Sequence, residues 1–194
     1  MYAKHPDAIY VNLFVGSTVT IDDVAGTDVE MIQNTDYPWS GKVSITVHPA
    51  RPTEFSVKVR MPRHDVSELY RSTPNADGLL AIAVNGASLD PPVVSGYAVL
   101  ARVWQAGDKI DLEVPLKVQR VKGIDTIEAT KGRVALRFGP LVYSLESVDQ
   151  NLDKVLPPAA DLQAEWQRDL LDGVLVIKGT WADGAPLLAI PNYA

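Results

Sequence analysis

Few side chains in this 194-residue chain are of a type and spacing that could do chemistry. His5, His48 and His64 are far apart, with no second ligand at helical or hairpin spacing, whereas a zinc site needs three or four convergent donors. They read as solvated histidines, and no metal is expected. The sequence has no cysteine, which removes disulfides, thiolate metal sites and a thiol nucleophile. Paired carboxylates could act as general acid and nucleophile or base, and Asp22 with Asp23, Asp36, Glu128, Glu146 and Asp149 are the candidates. All sit in turns or on wet strand faces, with no apolar pocket to raise one pKa, so no catalytic residue is assigned. Asp22-Asp23 is better explained as turn chemistry before Gly26. Ser17, Ser40, Ser95 and Ser144 lack a nucleophile elbow, and Gly132–Gly139 lacks the strand-loop-helix context of a phosphate site. No cofactor is expected.

Tryptophan offers a different chemistry. A flat ring can stack on the C–H face of a sugar, and Trp39 (after Pro38, in a turn), Trp104 (at a strand end) and Trp181 (beside Asp183-Gly184) are the candidate carbohydrate platforms. Trp166 is ambiguous. The competing reading is that each ring covers one end of a β-sandwich or a seam with another domain.

The elements that must position these groups read as strands. Val43, Ile45 and Val47 alternate with polar residues, as do Phe55, Val57, Val59 and Met61; Pro49-Ala50-Arg51-Pro52 between them is short enough for a hairpin. Leu80, Ile82 and Val84 precede the turn Asn85-Gly86, and Tyr97, Val99, Ala101 and Val103 form a further apolar set. Ile110, Leu112 and Val114 follow, and strands at this spacing without helices between them predict an all-β, antiparallel β-sandwich protein of jelly-roll-like type. Later strands are predicted at 133–137, 141–146, 174–178 and 187–190. Residues 160–171 fit either strand and loop or one face of a short helix through Leu162, Trp166 and Leu170. Long loops are expected at 63–78 and 150–161. Alternation stops near Gly123, so two tandem or packed domains are expected, 1–122 and 123–194.

The net charge of −6, without a basic cluster, argues against a nucleic-acid partner. No apolar run reaches bilayer length, so no membrane partner is expected, and the compartment is left open.

Four segments carry a family resemblance: Tyr10-Val11-Asn12-Leu13-Phe14, Asp36-Tyr37-Pro38-Trp39, the stretch from Gly132 through Gly139-Pro140 to Tyr143, and Ala189-Ile190-Pro191. In this order they resemble the bacterial β-L-arabinofuranosidases of glycoside hydrolase family 127. The resemblance implies an (α/α)6 catalytic barrel followed by β-sandwich domains. It also implies a cysteine nucleophile beside a zinc held by cysteines and a glutamate, all upstream of the Tyr-Val-Asn-Leu strand. None of those residues maps onto a position here. Where relatives show a Pro-Gly-Trp run, this chain reads Pro62-Arg63-His64-Asp65, and relatives continue past Asn192-Tyr193-Ala194. The second domain is therefore expected to be truncated at its C-terminus.

The expectation is a non-catalytic β-sandwich portion of a glycoside hydrolase, with the catalytic (α/α)6 barrel as its partner. The alternative is an autonomous carbohydrate-binding module, and a self-sufficient carboxylate hydrolase is the weakest reading. A sandwich parted from its barrel should self-associate. Tyr10 and Phe14 are expected near the contact, because residues 9–15 look apolar on both strand faces.

Overall fold

The computed structural model describes residues 1–63 and 67–192; His64, singled out in the sequence, lies outside them. Regular structure is almost entirely β, with one 3-10 turn at Glu128–Thr130. Two compact units divide it. One holds residues 1–63 and 77–115, the other 64–76 and 116–194. The chain thus leaves the first unit at Pro115, and Val118–Gly123 pairs within the second.

Two sheets build the first unit. The five-stranded sheet runs β1 (Tyr2–His5), β2 (Ala8–Val11), β6 (Thr53–Arg60), β11 (Tyr97–Trp104), β10 (Val93–Val94). The six-stranded sheet runs β3 (Ser17–Val24), β4 (Thr27–Thr35), β5 (Lys42–Pro49), β12 (Asp108–Glu113), β8 (Ala81–Val84), β9 (Ala87–Ser88). Pairing is antiparallel except between β2 and β6. Ile9, Val57 and Leu100 from one sheet share a core with Met31, Ile45 and Ile110 from the other, as in a sandwich. Each such aliphatic side chain taken out of water contributes about 1.5–3 kcal/mol before entropy is charged against it.

Alternation marked these strands but not their partners. β5 pairs with β4 and β12, while β6 pairs with β2 and β11. Residues Pro49 to Pro52 therefore carry the chain from one sheet to the other instead of closing the expected hairpin. β11 corrects the sequence in a second way. Its buried residues are Ala98, Leu100 and Trp104, and Val103 of the expected apolar set is half exposed. Both faces of this strand are apolar, so period two cannot choose, and Leu and Trp have more area to hide.

The second unit is one seven-stranded sheet: β16 (Gln163–Gln167), β17 (Val174–Thr180), β18 (Pro186–Pro191), β15 (Leu141–Ser144), β14 (Ala135–Phe138), β13 (Val118–Gly123), β7 (Tyr70–Thr73). Its core gathers Leu136, Phe138, Tyr143, Ile177, Trp181, Leu187 and Ala189. β14 and β15 meet at Gly139-Pro140, where Gly139 takes φ +53°. Residues 160–171, open between helix and strand in the sequence, supply β16, and the expected loop 63–78 contains β7.

Candidate functional site

Each sequence-derived candidate can now be placed. His5 is exposed and bonded to Asp7, and His48 lies on the outer face of β5 opposite Glu30. Among the described residues no three His, Asp or Glu side chains converge as a metal site would require. The candidate carboxylates do not come together: Asp36 lines an open groove on the six-stranded sheet and Asp149 a separate depression at residues 147–153. Asp22 and Asp23 belong to the irregular end of β3, where Asp23 has φ +52° and its N–H bonds Asp28 Oδ1, which is turn chemistry. Glu128, Glu146 and Asp149 are exposed. A general acid needs a raised pKa, but the carboxyls here that depart from the ordinary range are held below it. For Asp7 the cause is the His5 bond, for Glu165 the Lys178 bond and for Asp183 the Lys154 bond. Burial works to raise the carboxyl of Asp108. The Asn85 amide, the Gln105 N–H and Arg102 outweigh it and keep the group ionised.

The tryptophans separate by exposure. Trp104 is 0% exposed; its indole N–H donates to Phe55 O at 3.0 Å, its ring lies against Phe55, and the Arg102 guanidinium sits 5.3 Å from the ring centroid. Trp181 is 5% exposed, inside the core of the second unit. Stacking on a sugar requires an open ring face, and neither ring has one in this structure. Trp39 is half-buried in the loop between β4 and β5. Trp166, on edge strand β16, is 52% exposed and packs beside Gly173, where an added Cβ would come within 2.8 Å of the ring.

Phe14 also departs from expectation. β2 ends at Val11, and beyond it Leu13 and Val15 are exposed while Phe14 turns inward at 7% exposure and packs edge-on against Tyr37. The strand alternation assumed for residues 9–15 stops too early to carry Phe14 outward. Tyr10 is half-buried, edge-on to Tyr97 at 5.2 Å, with Lys58 donating to its hydroxyl.

Two features escaped the sequence reading. On the face of the seven-stranded sheet opposite Leu136 and Phe138, the Arg137 side chain is 9% exposed. Its Nε and Nη2 donate to Gln119 Oε1 at 3.1 and 2.8 Å, and Nη2 also reaches Ser72 Oγ at 3.0 Å. Gln119 is aligned in turn by donating to Pro74 O. The second feature is a groove on the outer face of the six-stranded sheet. A cavity of about 620 Å³ touching Ile32, Asn34, Asp36, Ser40 and Lys42 adjoins one of about 390 Å³ that shares Asn34 and Lys42 and extends to Ser44 and Asp111. The strand register puts Asn34, Ser44 and Asp111 in one cross-strand row. A polar outer face carries no signal in the sequence beyond that of any wet strand, so this grouping requires the register.

Comparison with known proteins assigns the chain's relatives. Residues 8–116 match the family model described as β-L-arabinofuranosidase, GH127 middle domain, and residues 118–194 match the glycoside hydrolase family 127 C-terminal domain. A non-reducing end β-L-arabinofuranosidase of Bifidobacterium longum subsp. longum is 32% identical over 168 residues, covering 80% of this chain and 23% of the relative. The crystal structure of a GH127 β-L-arabinofuranosidase from Geobacillus stearothermophilus T6 superposes with a TM-score of 0.84 at 34% identity, covering 100% of this chain and 32% of that one. A second GH127 β-arabinofuranosidase structure gives a TM-score of 0.87 at 26% identity, with 99% and 33% covered. The chain therefore spans about a quarter to a third of the length of these relatives. With both of its β units matched in order, the chain belongs to glycoside hydrolase family 127, as its middle and C-terminal domains.

Proposed function

We propose that this chain is the non-catalytic β portion of a β-L-arabinofuranosidase-like glycoside hydrolase, two β domains that brace a catalytic (α/α)6 barrel. The observation that carries the reading is the full-length superposition on a third of a larger arabinofuranosidase, in the middle and C-terminal regions of the family. The scattered placement of the carboxylates supports it, as does the downward shift of Asp7, Asp108, Glu165 and Asp183, the opposite of what a general acid needs. The reaction of the whole protein would be hydrolysis of terminal β-L-arabinofuranosyl linkages. Purified chain incubated with 4-nitrophenyl β-L-arabinofuranoside should release no nitrophenol above the buffer rate. Turnover that persists through purification and vanishes in Asp36→Asn, Glu128→Gln or Glu146→Gln would replace this reading with that of a self-sufficient hydrolase.

The autonomous sugar-binding reading keeps one supporting observation, the open groove beside the Trp39 loop. Self-association has lost Phe14 as a contact, since that ring is occupied within its own core.

A further inference from the structure

The loop between β4 and β5 is tied down at nearly every residue. Asp36 O accepts the N–H groups of both Trp39 and Ser40. Thr35 Oγ1 accepts from Tyr37 N–H and donates to Lys42 O, while Ser40 Oγ accepts from Lys42 N–H. Gly41 O accepts from Val114 N–H at 2.8 Å, and Val114 O lies where a Cβ on Gly41 would have to go, 2.1 Å away. The Tyr37 ring anchors the loop against Phe14 in the core. The backbone restraints contrast with the side chains, since Asn34, Asp36, Lys42 and Ser44 have no polar partner among the described residues and all line the continuous groove. Fixing the loop backbone in advance removes that part of the ordering cost and leaves these side-chain groups available to a ligand.

We propose that this groove is a binding subsite for a neutral oligosaccharide, with Asn34, Asp36, Lys42 and Ser44 as its hydrogen-bonding groups. The chemistry selects the ligand class. Asp36 can only accept, Lys42 can only donate, and Asn34 and Ser44 do both. One carboxylate and one ammonium leave the set without net charge, and Asp111 in the extension is paired with Lys109 at 2.9 Å, so the groove offers no strong preference for an anion or a cation. A sugar needs this mixture, because each of its adjacent hydroxyls donates and accepts. Ile32 supplies the apolar patch for a ring's C–H face. A space of about 620 Å³ with a 390 Å³ extension is of ligand-pocket size and longer than a single sugar ring requires. The inference rests on the reading of the chain as part of a glycoside hydrolase and gives its first β unit a sugar-holding task.

The test is a ¹⁵N NMR titration of the 194-residue chain with an arabinan-derived trisaccharide, beside sorbitol and a galacturonic acid trimer. The expected result is a saturable shift centred on the amides of 32–44, with a dissociation constant of about 1 mM or below. Asn34→Ala and Lys42→Ala should each weaken it about tenfold, the loss of one hydrogen bond. His48→Ala, on the same strand but outside both cavities, should leave it unchanged. Thermal unfolding confirms that each variant is folded. A linear response without saturation, an equal response to sorbitol, binding of the acidic trimer alone, or saturation indifferent to both Asn34→Ala and Lys42→Ala would each overturn the proposal. None of these outcomes bears on the turnover assay, which tests the non-catalytic reading separately.

Discussion

Among the described residues, the first unit packs twenty-one buried apolar side chains into one core, from Ile9 to Val114, while the core of the second has seven, from Leu136 to Ala189. The second unit differs in burying a cation. Its sheet holds the Arg137 guanidinium on neutral acceptors, Gln119 and Ser72, while each unit has one orphaned buried polar atom among the described residues, Gln33 Oε1 in the first and the Trp181 indole N–H in the second. A large apolar core tolerates the loss of any one polar contact. A small core beside a buried cation does not, because removing one acceptor leaves a charge in a medium that solvates it poorly. The two halves of this chain should therefore fail by different routes.

Trp104→Ala should give the largest effect and strike the first unit. It empties the volume of a fully buried ring and leaves Phe55 O without its donor, a loss of about 3–5 kcal/mol in urea unfolding. A loss under about 1 kcal/mol would show that the apolar core is not what holds this unit. In the second unit, Gln119→Ala should cost about 2–4 kcal/mol by stranding Arg137, whereas Arg137→Met, which removes the charge and keeps the volume, should cost less. Amide hydrogen exchange in β13 and β14 would read both locally. The reverse order would mean that the cation itself, not its acceptors, stabilises the sheet.

The smallest effect is a pH dependence in the first unit. The Asp108 carboxyl is held below its unfolded value, so its contribution is present above the ordinary carboxyl range near pH 4 and is lost as pH falls through the lower folded value. Asp108→Asn should flatten part of the acid limb of the stability profile. A variant profile that runs parallel to the wild-type profile from about pH 6 to about pH 2 would remove the carboxylate from the account.

How far the fold was legible follows the same division. Val43, Ile45 and Val47 and then Phe55, Val57 and Val59 announced two strands because each buries one face only, but alternation names no partner, and the crossover at Pro49–Pro52 was invisible in it. β7 was hidden because Tyr70-Arg71-Ser72-Thr73 has no apolar face; its one buried residue is Ser72, which serves Arg137. The rings of Trp104 and Phe14 could not be assigned to inside or outside from type alone, since aromatic area is worth burying in either a core or an interface. The groove was unreadable for a plainer reason. Asn34, Lys42 and Ser44 are individually unremarkable surface residues until the strand register sets them side by side.

The placement of β7 also sets an order of events on the ribosome. Residues 64–76 belong to the second unit yet are synthesised between β6 and β8 of the first, so the chain passes between units three times. β7 emerges well before β13, its one hydrogen-bonded neighbour strand among the described residues, and at typical elongation rates it waits roughly several seconds for a partner. During that interval the remaining strands of the first unit, β8 to β12, are synthesised. A gene cut at Leu116 to release the second unit would leave it without that strand and Arg137 without Ser72. Any independently folding version of the second unit has to carry both pieces of sequence.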